Sequence, residues 1–340
     1  MSIFLKNKLV EWHDPHQRDL PWKSTKDPYK IWLSEVILQQ TRVDQGRPYY
    51  FRFISNYPDV RALAKAPLSE VLKLWEGLGY YARARNMHFA AIQVLSQFNG
   101  VFPTRYDDLL KIKGIGPYSA AAISSFAANE PQAVLDGNVY RVLSRFFNID
   151  VPIDTKEGKV IFKNLAESCL DRENSAVYNQ AIMDFGAILC TPKKPKCDEC
   201  PLQGNCGAFF SKTINVLPVK SKKLLKRERF FLYLVSIKSG KIAIQKREGK
   251  DIWEELYEFP MVEFGNIAEL LDSKYFRVNG QHYVYLKQSL THQTINGYFV
   301  FISDFNDCHN KTKVKWVNST EISKFAFPKI ICEFLEGNYF

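Results

Sequence analysis

Apolar residues recur with a helical period from the N-terminus to a window of cysteines near the middle of the chain. Val139, Val142, Leu143, Phe146 and Phe147 fall on one face of a 3.6-residue repeat, as do Leu68, Val71, Leu72 and Trp75. Residues 31–38 are apolar on nearly every side, which predicts a helix sunk in a core rather than lying on one. After the cysteines the character changes. Residues 212–229 hold seven basic side chains and one acidic one around Pro218, the pattern of an exposed linker. Beyond it, residues 230–237 are rich in aromatic and branched side chains, and Ser239-Gly240 suits a hairpin turn into 241–247. Residues 282–287 and 297–303 read as further strands, and 266–271 and 319–335 as at least partly helical. The expected organisation is an all-helical domain (1–210), a basic linker (211–229) and a smaller α+β domain (230–340). No internal repeat or low-complexity tract interrupts it.

Length and charge sharpen this picture only a little. A chain of 340 residues has room for two cores. Lys and Arg number 46 against 36 Asp and Glu, a net charge of +10 that attracts polyanions such as nucleic acid. Solvated basic faces are common, so charge alone does not choose the partner. No apolar run reaches the ~18 residues of a membrane span, and residues 1–10 lack the apolar stretch of a secretory signal. A soluble intracellular protein without membrane contact is expected. Four of the seven cysteines (Cys190, Cys197, Cys200, Cys206) crowd together, while Cys169, Cys308 and Cys332 are scattered. Local clustering favours a metal site over a disulfide framework.

Three constellations carry candidate chemistry. Residues 109–123 read LLKIKGIGPYSAAAI: a helix ending near Lys113, a Gly114-Ile115-Gly116 turn, and Pro117 opening the next helix. The glycines permit positive φ and close approach by another molecule, and the following helix start suits a DNA phosphate. An ordinary helix corner has the same local sequence. Asp136, in LDGNVYRVL, precedes the apolar helix face noted above; it or Asn138 can cap that helix, and a capped carboxylate is also a fixed one. Glu35 lies in IWLSEVILQQT, where Ile31 and Leu38 share its face. Desolvation there raises a carboxyl pKa and keeps the proton available for general-acid work, although a salt-bridged structural glutamate fits the same sequence. Gln39, Gln40 and Thr41 follow at the helix end, where amides can reach a DNA groove. The cysteines spell C-x6-C-x2-C-x5-C, which suits an iron–sulfur cluster; zinc, which usually takes two short Cys pairs, stays open from spacing alone.

Taken together, the GIG turn, the downstream Asp and the cysteine spacing resemble the endonuclease III superfamily of helix–hairpin–helix base-excision glycosylases. LSEVILQQT, GLGYYARARN, GIGPYSAAAI, LDGNVYRVL and NQAIMDFGA resemble its MutY-type adenine DNA glycosylases. The likeness is dense from Trp12 to Cys206 and looser beyond. It implies a mainly α glycosylase domain with a [4Fe–4S] cluster on Cys190, Cys197, Cys200 and Cys206, plus a Nudix-like α+β domain.

By that resemblance Glu35 is the acid that protonates adenine, and Asp136 stabilises the oxocarbenium-like sugar or traps it covalently. Tyr118 and Asn138 support the sugar. Lyase relatives carry a Schiff-base lysine where this chain has Tyr118, and Lys111 and Lys113 lie before the turn, so base removal without strand cleavage is implied. Gln40 and Tyr80, the latter beside Leu78 and Gly79, match residues that probe and wedge open the duplex so that the target base can leave it. Gln180 matches an adenine-pocket residue, and Trp22 lies in a segment, RDLPW, near the base pocket. The second domain resembles the Nudix-type module that reads 8-oxoguanine opposite adenine. It has no R-E-x-x-E-E helix, so pyrophosphatase activity is not expected. Leu290-Thr291-His292 stands where many relatives have Phe-Ser-His, so Thr291 and His292 are the expected lesion contacts. The implied partner is double-stranded DNA with adenine opposite 8-oxoguanine or guanine, bound by a monomer. An endonuclease III-like pyrimidine glycosylase-lyase and a non-catalytic DNA-binding iron–sulfur protein are the competing readings; Tyr118 argues against the first, and the pair Glu35 and Asp136 against the second.

Overall fold

Capping residues and buried faces turn the helical period into helices. In the computed structural model, which describes residues 1–221, 226–279, 282–303 and 314–337, the elements up to the cysteine window are helices. They are α1 (Ser2–His13), α2 (Pro28–Leu38), α3 (Val43–Asn56), α4 (Val60–Lys65), α5 (Leu68–Leu74), α6 (Ala82–Gln97), α7 (Tyr106–Leu109), α8 (Pro117–Ala128), α9 (Gly137–Phe147), α10 (Lys156–Cys169) and α11 (Ser175–Ile188), with a short α12 (Gly207–Phe210) after the cysteines. Asp136 caps α9, which stops where Asn148 turns left-handed at φ 52°. The chain divides into two compact units that do not follow sequence order. One comprises Met1–Ala64 and Phe89–Lys223, the other Lys65–His88 and Leu224–Phe340.

The first unit is helical. Val139, Val142, Leu143 and Phe146 are buried, with Phe147 packed half-buried at the edge of the same core. Leu5, Leu9 and Trp12 of α1, Phe162 of α10 and Phe185 of α11 complete it. Each such side chain contributes about 1.5–3 kcal/mol by leaving water. Two local expectations are corrected. The helix expected to end near Lys113 stops at Leu109, and residues 110–112 continue as tighter turns, with Ile112 N–H donating to Leu109 O at 3.1 Å. The basic stretch after the cysteines is not wholly an exposed linker. Leu217 is buried, Val219 O accepts from Ile153 N at 3.1 Å, and Arg145 Nε donates to Ile214 O and Leu217 O. An apolar side chain and available carbonyls fold it back; residues 222–225 of that stretch lie outside the described residues.

The second unit holds the strands. β1 (Arg227–Val235), β2 (Ile237–Lys238), β3 (Lys241–Lys246), β4 (Tyr257–Glu258), β5 (Met261–Phe264), β6 (Tyr283–Ser289), β7 (Gln293–Phe301) and β8 (Val314–Asn318) form two sheets among the described residues. One runs β5-β1-β7-β6 with β1 and β7 parallel; in the other β3 pairs with β2, β4 and β8. Ser239 and Gly240 take φ 49° and 73°, as a two-residue hairpin turn requires. β4 and β5 are too short to show a period. The stretch 319–335, expected to be at least partly helical, forms a 3-10 turn (Ser319–Lys324) and, after Pro328, an α-helix (Lys329–Glu336). Residues 65–88 join this unit through specific bonds: Glu76 Oε1 accepts from Phe327 N at 2.8 Å, Lys73 Nζ donates to Phe325 O at 3.0 Å, and Arg85 pairs with Glu254 at 2.8 Å. Nothing local in 65–88 announces that pairing. Among the described residues no helix is long and apolar enough to cross a membrane.

One close approach positions the site described next. A Cβ on Gly186 of α11 would stand 2.7 Å from Asn138 Cβ and 3.1 Å from Asn138 O, so only glycine lets α11 cross the start of α9 this closely. Gly186→Ala should therefore cost about 1–3 kcal/mol as an overpacked contact. Urea unfolding measures it, and wild-type stability would contradict the close approach.

Candidate active site

Glu35 is carried by α2, which begins at Asp27: the Asp27 side chain accepts from Tyr29 N at 2.9 Å, and Pro28 opens the helix. Tyr29, Ile31, Trp32, Leu33, Val36 and Ile37 are buried around it, so the helix offers its one carboxylate no polar face. Glu35 is 8% exposed. Its Oε2 accepts a 2.7 Å hydrogen bond from the Tyr118 hydroxyl of α8. Burial pushes the carboxyl up to about 7; the Tyr118 hydrogen bond opposes that rise, and the nearby Asp136 charge adds to it. The Tyr118 phenol is itself held well above its ordinary range by burial, and so stays a donor.

Asp136 both caps a helix and faces the cavity. Its Oδ1 accepts from Val139 N at 2.7 Å and its Oδ2 from Asn138 Nδ2 at 2.6 Å. Burial raises its proton affinity, while those two donors and the Arg141 cation favour the charged form. Asn138 is fixed in turn: Arg141 Nη2 donates to Asn138 Oδ1 at 2.9 Å and to Gly186 O at 2.6 Å, and Arg141 Nε donates to Cys190 O at 2.7 Å. A chain of hydrogen bonds thus runs from the first cysteine to the carboxylate.

A cavity of about 350 Å³, within the roughly 300–1,000 Å³ of small-molecule sites, gathers most of the anticipated residues. Glu35, Tyr118, Asp136, Asn138, Gln180, Trp22, Gln39, Gln40 and Thr41 all line it. Gln40 is exposed with φ 55°, an unusual backbone for a non-glycine residue. The cavity also contains Arg18, Lys23 and Asp184, which the sequence reading did not single out. The one signal available was a single charged residue in the otherwise uncharged NQAIMDFGA segment. The glycine turn is organised differently from the expectation. Gly114 has φ 82°, but Gly116 has φ −93° and caps α8 without needing a left-handed backbone. Both glycines are exposed over buried Ile112 and Ile115, and a Cβ at Gly116 would meet no atom within 4 Å.

The remaining anticipated DNA contacts sit in the second unit. Leu78 is buried, Trp75 Nε1 donates to Gly79 O at 2.9 Å, and Gly79 and Tyr80 take φ 79° and 50°. Tyr80 projects 43% exposed, and its hydroxyl is hydrogen-bonded to Thr291 Oγ1. Thr291 and exposed His292 occupy the tight turn between β6 and β7, where Leu290 N donates to Gln293 O at 2.8 Å.

Cys190, Cys197, Cys200 and Cys206 are free thiols that wall one small cavity beside Arg145. Arg145 Nη1 donates to Cys190 Sγ at 3.4 Å and to Thr191 O at 2.7 Å, placing a cation where thiolate charge would collect. Burial pushes the Cys200 thiol up to about 12 and raises those of Cys197 and Cys206, so ionisation here depends on metal coordination. Among the described residues no three or more His, Cys, Asp or Glu side chains are grouped to hold a single metal ion. The four thiols do share the lining of one small cavity, and four cysteine thiolates are the ligand set of an iron–sulfur cluster.

Comparison with known proteins agrees with this geometry. Residues 33–167 match the HhH-GPD superfamily of base excision DNA repair proteins, residues 232–337 the NUDIX domain, and residues 190–206 the iron–sulfur binding domain of endonuclease III. The four-cysteine site is that of a [4Fe–4S] cluster. A thermostable thymine-DNA glycosylase of known structure superposes with a TM-score of 0.58 at 27% identity, over 62% of this chain and 97% of its own. An adenine DNA glycosylase of Buchnera aphidicola subsp. Schizaphis graminum (strain Sg) is 34% identical over 99% of both chains. Another, from Buchnera aphidicola subsp. Baizongia pistaciae (strain Bp), is 34% identical over 96% of this chain and 94% of its own. Matched along nearly their whole length at this identity, the chain belongs to the adenine DNA glycosylases.

Proposed function

We propose that the protein removes adenine paired with 8-oxoguanine or guanine in duplex DNA by hydrolysing its N-glycosidic bond, acting as a monomer inside the cell. The observation that carries the reading is a pair of carboxylates, buried Glu35 and half-buried Asp136, lining one base-sized cavity. Two carboxylates in one low-dielectric site disfavour double ionisation, so one keeps a proton and the other its charge. Glu35, hydrogen-bonded to Tyr118 and desolvated, is the donor to the departing adenine. Asp136, held by a backbone N–H and an amide, is the anion facing the positive charge that develops on the sugar. Gln180 and Trp22 support the everted base, and Gln40 and Tyr80 support the opened duplex. When bound, the cluster supplies a covalent tie between the end of α11 and residues 197–206, on the side of the site reached through Arg141.

Strand cleavage needs an amine nucleophile. Tyr118 stands where lyases have lysine, and the Lys23 ammonium that lines the cavity is ion-paired with Asp184. On a duplex with adenine opposite 8-oxoguanine, strand breaks should appear only after alkali. Substrate-dependent, stoichiometric borohydride trapping would contradict this and would implicate Lys23. Glu35→Gln keeps the shape but cannot supply the proton, so single-turnover excision should fall by at least ~10²-fold with DNA binding retained. A near-normal rate would make Glu35 structural.

Thr291 and His292 are assigned to reading the opposite base. Because residues 65–88 pack with the second unit, removing that unit would also strip partners from the Tyr80 segment, and point variants test the reading better than truncation. Thr291→Ala combined with His292→Ala should lower the preference for 8-oxoguanine over guanine opposite adenine by about 1–3 kcal/mol, by analogy with one altered base contact. Paired single-turnover assays differing only in the opposite base measure it; an unchanged preference refutes the assignment.

A further inference from the structure

Asp184 has no exposed surface, yet it lines the base cavity. Its carboxylate gathers the N-terminal segment: His13 Nε2 at 3.2 Å, Arg18 Nε at 2.6 Å with the Arg18 backbone N at 3.3 Å, and the Lys23 ammonium. Arg18 and Lys23 line the same cavity as Glu35. A buried ion cluster is seldom more stabilising than apolar side chains of similar volume, so stability alone is a weak reason for charges here. Their place in the cavity that holds Glu35 supplies a better one.

We propose that Asp184 is a positioning residue whose negative charge offsets Arg18 and Lys23 and so lets Glu35 keep its proton in the shared cavity. The inference rests on Glu35 acting as the acid. The titratable and charged groups that line the cavity with Glu35 are Tyr118 from α8, Asp136 at the start of α9, Asp184 from α11, and Arg18 and Lys23 from the segment between α1 and α2. α3 lends the cavity only Val43. His13 reaches the cluster from α1, on Asp184 itself. Asp136 disfavours ionisation of Glu35 and the Tyr118 hydrogen bond favours it. Two cations without a counter-charge would tip that balance towards the carboxylate, which cannot donate. Asp184 cancels one of them and, by pairing with both, orients them towards itself rather than towards Glu35.

The test reads Glu35 directly, without DNA. In protein carrying carbon-13-labelled glutamate, the carboxylic-acid infrared band missing from Glu35→Gln belongs to Glu35, and its disappearance with rising pH gives the titration midpoint. Asp184→Asn should lower that midpoint by about half to one pH unit, the effect of one charge across a partly screened cavity. Lys23→Gln should raise it by a similar amount, and Asp184→Glu should restore the wild-type value. A merely structural Asp184 would alter stability without these opposite shifts. Midpoints that stay put, or that move in the same direction in Asp184→Asn and Lys23→Gln, overturn the proposal. If Asp184→Asn does not fold, Lys23→Gln decides alone: an upward shift supports the proposal, and an unchanged midpoint overturns it. Failure to release adenine from DNA would overturn the functional reading and leave this titration readable.

Discussion

The site depends on one constraint: a carboxyl group is carried into a core by a helix that offers it nothing polar. α2 surrounds Glu35 with buried Ile31, Trp32, Leu33, Val36 and Ile37, and the Tyr118 hydroxyl is the hydrogen-bond donor that Glu35 meets there. Water would hold such a carboxyl ionised at neutral pH; burial in this cavity lifts it to about 7. The rest of the helical unit maintains that condition. α8 delivers Tyr118, the cap of α9 fixes Asp136, and Gly186 lets α11 close the far wall at van der Waals distance. Of the pair, Asp136 accepts from two donors, Val139 N and Asn138 Nδ2, and Glu35 from the Tyr118 hydroxyl.

Much of this was legible in the sequence because it is local. Asp136 precedes a helix with a clean apolar face, so its capping role follows from residues within one turn. Glu35 is flanked by Ile31, Trp32, Leu33, Val36, Ile37 and Leu38, so its desolvation follows from composition. The cysteine spacing is likewise a local fact. What was not legible is tertiary. Glu35 and Tyr118 are 83 positions apart, and no periodicity links them. Asp184 finds its partners 161 to 171 positions upstream, so a charged cluster at the base cavity reads in sequence as one acid in an apolar helix and a few scattered basic residues. Residues 65–88 look like any other helical stretch, yet pack with the strands, because their hydrogen-bond partners at Phe325 and Phe327 lie beyond them by most of the chain. The glycine turn shows a subtler limit: composition announces flexibility at both Gly114 and Gly116, but only Gly114 uses a left-handed backbone.

The fold also separates tasks by the kind of element that performs them. Groups assigned to hold a proton or a charge sit on helices and caps whose neighbours are buried. Groups assigned to touch the duplex sit on exposed turns, at Gly114–Gly116, at Gln40, at Gly79-Tyr80 and at Thr291-His292. Rigid support suits chemistry that tolerates little displacement, and exposed turns suit a partner that must be deformed before it fits.

The most direct test of this account is the pH dependence of single-turnover adenine excision by the wild-type protein on duplex DNA. If a proton held by desolvated Glu35 drives the reaction, the rate constant should be level at low pH and fall about tenfold per pH unit above a midpoint near 7. Glu35→Gln should be slow throughout and lack that limb. A wild-type rate that rises through neutral pH, or shows no limb there while the protein stays folded, would contradict the account.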